Sequence, residues 1–196
     1  LFFTGIVRRS SDIEEEKAWE SIIAKANNNG MIIVSATGNN NKNRIYFTAG
    51  LEGVISVGGS DEVSQRWVHN FMRGSNYGDK IDCVAPAFSQ PTTMFMRWRY
   101  TNVDGTSMAT ANMSGIVALL KSVKKSLSYQ DIQDLIKKYS SHSVIGWSQE
   151  LGYGLIDTFR ALSSLKPADV NTGQLIKNLR NIKLQIESIL SDLGGE

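Results

Sequence analysis

A run of small side chains opens the segment that most constrains this fold. The run comprises Asp104-Gly105-Thr106-Ser107-Met108-Ala109-Thr110-Ala111-Asn112-Met113-Ser114-Gly115 and leads into the apolar residues 116–120. Gly105 allows a sharp backbone turn, and the residues after it predict a helix from Ser107 to about residue 125. Because its first turns carry small side chains on several faces, this helix can enter the middle of a domain and lie close to neighbouring backbone.

Two interpretations of Ser107 follow from its place at the start of this helix. Serine is a preferred helix N-cap, and from the spacing alone we favour the cap. The alternative is a nucleophile, because a hydroxyl there lies near the positive end of the helix dipole and near free N–H groups. The Gly-x-Ser-x-Gly elbow of the α/β-hydrolases is excluded, since Ala109 stands where the second glycine would be.

Short apolar runs and amphipathic stretches alternate ahead of this helix. Strands are predicted at residues 1–7, 31–36, 53–59 and 81–85, and those at 31–36 and 53–59 are expected to be buried. A helix with apolar residues at helical spacing separates the first two strands. The strand at residues 31–36 runs into a polar Gly/Asn loop, which is typical of βα-type units. Ligands of such sheets bind at the carboxyl ends of the strands. Further helices are predicted at residues 129–139, capped by Ser128 with Asp131, and 158–165.

Composition and charge argue against several classes of function. The net charge is +2 at pH 7, and a single stretch, Arg97-Trp98-Arg99-Tyr100, interleaves arginines with aromatics. We therefore expect a surface hairpin there and no nucleic-acid partner. No apolar run reaches the length of a membrane span. The one cysteine, Cys83, excludes an internal disulfide and is interpreted as a buried thiol.

The sequence pattern changes after Pro167. Apolar residues then repeat at heptad-like spacing, at Leu175, Leu179, Ile182, Ile186 and Ile189. Residues 167–196 are therefore predicted to be a C-terminal helical extension. About two heptads are short for an independent coiled coil. We favour a helix docked on its own domain over self-association through residues 172–192.

Several short motifs occur in a fixed order along the chain. They are Met31-Ile32-Ile33-Val34-Ser35-Ala36-Thr37-Gly38-Asn39, Tyr46-Phe47-Thr48-Ala49, Val54-Ile55-Ser56-Val57-Gly58, Ser75-Asn76-Tyr77-Gly78, Asp82-Cys83-Val84-Ala85-Pro86, Gly105-Thr106-Ser107-Met108-Ala109 and Gly152-Tyr153-Gly154-Leu155-Ile156-Asp157. This ordered set resembles the subtilisin-like serine proteases, the subtilases (peptidase family S8). The resemblance implies a three-layer α/β/α fold with a mostly parallel sheet, of which residues 1–166 are the incomplete C-terminal portion.

The resemblance also implies an activity and a set of site residues. The activity is that of a serine endopeptidase acting on polypeptides through an acyl-enzyme, with Ser107 as the nucleophile. Asn39 would donate its side-chain amide to the oxyanion, and the Ser107 backbone N–H would be the second donor. Removal of one such donor costs about 10²–10³ in rate, a value known from a subtilisin. The residues implied to line the substrate site are Thr4, Gly5, Ser35, Ala36, Thr37, Gly38 and Thr106.

The resemblance does not extend to a complete catalytic triad. The family's catalytic Asp and His lie in Asp-x-Gly and His-Gly-Thr-His contexts, which are absent here, and His69 and His142 are predicted to be surface or loop residues. Because serine without a base is a poor nucleophile, we expect the Asp and His upstream, on an N-terminal half of the same domain. This segment alone should then be inactive. The alternative is a pseudoprotease or protein-binding module that keeps the fold.

Cofactor and location follow from the family rather than from the residues. The resemblance implies no cofactor, and although the family is often stabilised by calcium, no clear carboxylate-rich loop is present. It also favours the secretory pathway, while the sequence begins at Leu1 and is interpreted as a fragment. The sequence Asn112-Met113-Ser114 fits a glycosylation acceptor, but it lies in the predicted buried helix, so we expect no glycan.

Overall fold

The computed structural model describes residues 2–3, 13–93, 100–142, 144–165, 177 and 180–181. The chain divides into two compact units, Leu1–Ser164 and Leu165–Glu196. In the second unit the described residues Lys177, Arg180 and Asn181 are helical. The rest of the helix predicted at residues 172–192 lies outside the described residues.

The first unit is built on a parallel sheet. The described strands of this unit are β1 (Phe2–Phe3), β2 (Ile33–Ala36), β3 (Val54–Ser60), β4 (Val68–Asn70), β5 (Arg73–Gly74), β6 (Cys83–Pro86), β7 (Gln90–Thr93) and β8 (Tyr100–Val103). A four-stranded sheet has the order β1-β2-β3-β6, and all its neighbours are parallel. Strands β2 and β3 are buried along their whole length, which accounts for their continuous apolar sequences.

Helices cover both faces of this sheet. They are α1 (Ile13–Asn28), α2 (Thr106–Val123), α3 (Tyr129–Tyr139) and α4 (Thr158–Ser164). Ile23 of α1 packs with Val54 of β3, whereas a Cβ built on Gly59 of β3 would lie 3.5 Å from Thr106 of α2. Side chains alternate between the two faces along a strand, and Val54 and Gly59 are an odd number of positions apart, so they point to opposite faces. Helices α1 and α2 therefore lie on different sides of the sheet. The expected α/β fold is confirmed.

Helix α2 packs against β2, β3 and β6. The buried residues of this helix include Ala109, Met113 and Val117, which recur every four positions. The prediction that Asn112 is buried is wrong, because it lies on the exposed face. Its amide nitrogen donates to the Pro86 carbonyl at 3.0 Å and to Gln90 Oε1 at 3.2 Å.

Other local predictions agree with the structure. Helix α3 begins with the predicted capping box, in which the Ser128 hydroxyl accepts from the Asp131 N–H and the Asp131 carboxylate accepts from the Ser128 N–H. Strands β7 and β8 pair antiparallel, as expected for the hairpin. None of the helices within the described part of the chain has the length and apolar character needed to cross a membrane.

Candidate active site

Two segments meet at the carboxyl end of the parallel sheet. The first follows β2, where the Thr37 N–H donates to the Val57 carbonyl at 3.1 Å and so continues the ladder for one residue. The second precedes α2, where the Gly105 N–H donates to the Ala87 carbonyl just beyond β6 at 2.9 Å. Ligands of open α/β sheets bind at this end, so the junction of the two segments is a candidate binding site.

Gly38 turns the chain between β2 and the Asn-rich loop. Its φ is +109°, a conformation that L side chains rarely adopt. A Cβ at this position would also collide with the Asn76 carboxamide and lie 2.6 Å from a carbon of the Tyr46 ring. Both the backbone conformation and the space therefore require glycine, and the turn directs the next residue, Asn39, toward the start of α2.

The start of α2 is capped by a residue distant in sequence. Gly105 occupies the N-cap position with φ 148° and has no side chain to cap the helix. Asn39 Oδ1 accepts from the Thr106 N–H at 2.8 Å and from the Thr106 hydroxyl at 2.8 Å. The interpretation of Ser107 as the N-cap is therefore wrong, because Asn39 supplies the cap and Ser107 is the second residue of the helix.

These contacts fix which way the Asn39 carboxamide points. The Thr106 N–H can only donate, so the atom facing it must be the side-chain oxygen of Asn39. The amide nitrogen Nδ2 then lies beside Gly105, where a built Cβ would be 3.3 Å from it. Thr106 is fully buried, and its hydroxyl also accepts from the Gly38 N–H at 3.3 Å.

Two donors at this junction, the Ser107 backbone N–H and Asn39 Nδ2, are left without an acceptor in the described part of the chain. The next two N–H groups of the helix, those of Met108 and Ala109, both donate to the Gly105 carbonyl, at 2.9 and 3.4 Å. Within the described residues, neither the Ser107 backbone N–H nor Asn39 Nδ2 has a hydrogen-bond partner. Ser107 and Asn39 are both half-buried. Free donors at the positive end of a helix can bind an anion or a developing negative charge.

The histidines of the sequence lie elsewhere. His69 is exposed on β4. The His142 N–H donates to the Tyr153 carbonyl at 3.0 Å, and the Tyr153 N–H donates to the Asp82 carbonyl at 2.9 Å. Asp82 precedes β6, whereas Gly105, just before α2, donates to Ala87 beyond the other end of β6. The stretch from Asp82 to Ala87 spans about 16 Å at roughly 3.3 Å per residue. No described residue therefore hydrogen-bonds the Ser107 hydroxyl as a base.

The other residues expected at the substrate site are close to this junction where they are described. Ser35, Ala36, Thr37 and Gly38 are all buried. The Ser35 hydroxyl is 3.0 Å from Thr48 Oγ1, and the Thr37 hydroxyl is 3.5 Å from Ser75 Oγ. Their hydroxyls are therefore engaged within the protein. Thr4 and Gly5 lie outside the described residues.

Two groups with shifted pKa values, Asp82 and Cys83, lie at the start of β6, the end of that strand opposite the junction. Burial raises the pKa of Asp82 to about 6, although Oδ2 accepts from the Ser56 N–H at 2.7 Å and Oδ1 from Gln133 at 2.9 Å. Asp82 lines a cavity of about 310 Å³ together with Tyr129 and Trp147. Burial also raises the pKa of the Cys83 thiol, which makes it a poor nucleophile. Ser107 does not line this cavity.

The described part of the chain has no group of three or more His, Cys, Asp or Glu side chains placed to hold a metal ion.

Comparison with known proteins identifies the family of the chain. The model of the subtilase family matches residues 7–154. A thermostable alkaline protease of Halalkalibacterium halodurans is 32% identical over 142 residues, which are 72% of this chain and 37% of that protein. A thermophilic serine proteinase of Bacillus sp. strain AK1 is 31% identical over 144 residues, 74% of this chain and 34% of that protein.

A solved structure shares the fold. The crystal structure of a lanthipeptide protease superposes with a TM-score of 0.66 over 80% of this chain and 58% of that chain, at 20% identity. The matched part of the chain spans 37% of the length of the alkaline protease and 34% of the length of the thermophilic proteinase. Because the family model matches residues 7–154, which is most of the sequence, the chain belongs to the subtilase family of serine proteases.

Proposed function

We propose that the intact protein is a serine endopeptidase in which Ser107 attacks the peptide carbonyl and Asn39 stabilises the oxyanion. The observation that carries this proposal is the pair of free donors, Asn39 Nδ2 and the Ser107 N–H, beside a half-buried serine hydroxyl. The Asn39 oxygen is occupied by Thr106, so its amide nitrogen is held ready before substrate arrives. Donors that are fixed in advance stabilise charge without a cost of reorganisation.

The reaction would proceed through an acyl-enzyme. Ser107 Oγ forms a bond to the carbonyl carbon as a base takes its proton, and the carbonyl oxygen becomes an oxyanion bound by the two donors. The tetrahedral intermediate then expels the amine, which takes the proton from the base. Water hydrolyses the resulting ester by the same steps and restores the free hydroxyl.

The base is proposed to come from a part of the protein other than the residues of this sequence. Neither His69 nor His142 is placed to serve Ser107, so the catalytic Asp and His would lie on an N-terminal half of the domain. Strand β1 is at one edge of the described sheet, and that half would pair there. On this proposal the 196-residue segment alone does not turn over substrate.

The substrate site is proposed to use mainly backbone groups. The hydroxyls of Ser35, Thr37 and Thr106 and the backbone groups of Thr37 and Gly38 already have partners, so residues 35–38 would form a wall of the site, and the backbone of Thr4 and Gly5 is proposed to pair with the polypeptide. A peptide bound as an extended strand needs only main-chain donors and acceptors. We also propose secretion, on the family resemblance alone.

The role of Ser107 can be tested with a matched pair of serines on helix α2. In the intact protein, Ser107→Ala should abolish hydrolysis of a fluorogenic peptide. Ser114→Ala should leave it within about twofold, because the Ser114 hydroxyl only donates to the Thr110 carbonyl at 2.8 Å. Full activity in Ser107→Ala would refute the assignment. A folded intact protein that binds peptides without cleaving them would instead support the pseudoprotease alternative.

A further inference from the structure

We propose that Asn76 is a positioning residue for the oxyanion site, because its carboxamide holds the residues on both sides of Asn39. The inference rests on the proposed function of Asn39 and adds a residue that does not touch the substrate. Asn76 lies in the segment after β5, 2% exposed. Its side chain is thus shielded from water and committed to contacts within the protein.

The Asn76 carboxamide bonds to the chain before and after Asn39. Its Oδ1 accepts from the Asn40 N–H at 2.9 Å and from the Lys42 N–H at 3.1 Å. Its Nδ2 donates to the Thr37 carbonyl at 3.2 Å. Asn39 is therefore carried on a loop whose two ends are tied to one planar group.

Backbone contacts of the same segment add to this attachment. The Asn76 N–H donates to the Gly38 carbonyl at 2.8 Å, and the Gly74 N–H donates to the Asn39 carbonyl at 3.2 Å. The Asn76 side chain also fills the space beside Gly38, where an added Cβ would collide with it. The backbone of Asn39 is thus fixed from one side by residues 74–76, while Thr106 holds its side-chain oxygen from the other.

The chemistry of these contacts requires a carboxamide. Two backbone N–H groups need an acceptor, and the Thr37 carbonyl accepts a second bond besides the one from the Tyr46 N–H. Among short side chains only asparagine offers both an acceptor and a donor on one plane. Aspartate keeps the acceptor but loses the donor, and alanine loses both. Unpaired groups would let the loop shift, and a displacement of about 1 Å at a catalytic group can cost about 10² in rate.

Steady-state kinetics of the intact protein test the proposal. Asn76→Ala should lower kcat about 10- to 100-fold while KM changes less than about twofold, because the oxyanion forms only in the transition state. Asn76→Asp should retain more activity than Asn76→Ala, since it keeps the acceptor for Asn40 and Lys42. The matched control is Asn27→Ala, which removes a carboxamide that donates to the Gly53 carbonyl at 2.9 Å at the other end of the sheet. Its kcat should be unchanged.

A double substitution separates positioning from general destabilisation. In an Asn39→Ala background, Asn76→Ala should lower kcat by less than about twofold, because the donor it positions is already gone. Amide hydrogen exchange at Asn40 and Lys42 should be faster in Asn76→Ala than in Asn76→Asp, which keeps their acceptor, provided both variants are folded by circular dichroism.

The outcomes distinguish this inference from the function on which it rests. If the wild-type protein hydrolyses peptide, an unchanged kcat in Asn76→Ala would overturn the positioning role alone. The same conclusion would follow if Asn76→Ala lowered kcat by an equal factor with Asn39 present and in the Asn39→Ala background. Should Asn76→Ala not fold, the same comparisons on Asn76→Asp decide. Absence of hydrolysis by the wild-type protein overturns the proposed function and this inference together.

Discussion

The side-chain oxygen of Asn39 accepts two hydrogen bonds from Thr106, one from its N–H and one from its hydroxyl, both at 2.8 Å. These bonds cap helix α2 and, in the same contact, leave the Asn39 amide nitrogen beside Gly105. The stability of the helix start and the direction of a free donor beside Ser107 therefore depend on one side chain. Substitutions here should change both properties, in proportions that the geometry predicts.

Asn39→Ala removes the proposed oxyanion donor and the cap together. We expect kcat to fall about 10²–10³, the loss known for a donor of this kind in a subtilisin. We also expect the free energy of unfolding to fall by about 1 kcal/mol, as for the loss of a helix cap. Peptide hydrolysis and urea unfolding measure the two effects, and a kcat within threefold of wild type would exclude Asn39 from catalysis.

Thr106→Val keeps the shape of the side chain and removes its hydroxyl. Asn39 loses one of its two donors and the Gly38 N–H loses its acceptor, so we expect a loss of about 1–3 kcal/mol in stability. The kcat should fall about tenfold because Asn39 is less firmly oriented.

A matched threonine on the same helix serves as control. The Thr110 hydroxyl is buried and donates to the Thr106 carbonyl at 2.8 Å, with no contact to Asn39. Thr110→Val should leave kcat unchanged. Equal kinetic losses in the two valine variants would contradict a specific role for the Thr106 hydroxyl.

Two glycine-to-alanine substitutions should have effects of opposite sign. Gly38 has φ +109° and no room for a Cβ, so Gly38→Ala should destabilise the protein by about 1–3 kcal/mol and reduce activity. Gly115 lies inside helix α2 with nothing within 4 Å of a built Cβ. Gly115→Ala should stabilise the protein by about 0.5–1 kcal/mol. Urea unfolding gives both values, and stabilisation by Gly38→Ala would contradict the described turn.

The raised pKa of Asp82 predicts how stability changes with pH. Burial raises this pKa from near 4 to about 6 in the folded protein, so the folded state retains its proton where the unfolded chain has lost it. Below about pH 4 both states are protonated and the effect is absent. Stability should then decrease as the pH rises from about 4 to 6, by up to about 3 kcal/mol, and remain lower above that range.

Asp82→Asn should remove this decrease, because its side chain does not titrate. Asp134→Asn is the control, since Asp134 is an exposed residue of α3. Urea unfolding at several pH values gives the comparison. If the wild type and Asp82→Asn show the same change between pH 4 and 6, the decrease does not come from Asp82.

Much of the fold could be predicted from local patterns. Strands β2, β3 and β6 fall in largely apolar runs of the sequence. The capping box of α3 is a local motif, in which Asp131 follows Ser128 by three positions. The resemblance to subtilases, confirmed by the family model, implies a mostly parallel sheet, and these three strands lie in one such sheet.

The contacts that orient the candidate site could not be predicted in this way. Spacing alone favours Ser107 as the cap, because the true cap, Asn39, is 67 residues from its partner Thr106. Asn76 lies 36 residues from Asn40, and its motif carried no sign that the side chain points into the protein. The exposure of Asn112 depends on which face of α2 meets the sheet, and a run of small residues does not define that face.

The most direct measurement is mass spectrometry of the intact protein after reaction with a fluorophosphonate. Activated serine nucleophiles form a stable phosphonyl adduct, whereas ordinary serines do not react. We predict one adduct per molecule, located on Ser107, present in Ser114→Ala and absent in Ser107→Ala. An adduct on another serine, or labelling that persists in Ser107→Ala, would contradict the assignment of Ser107 as the nucleophile.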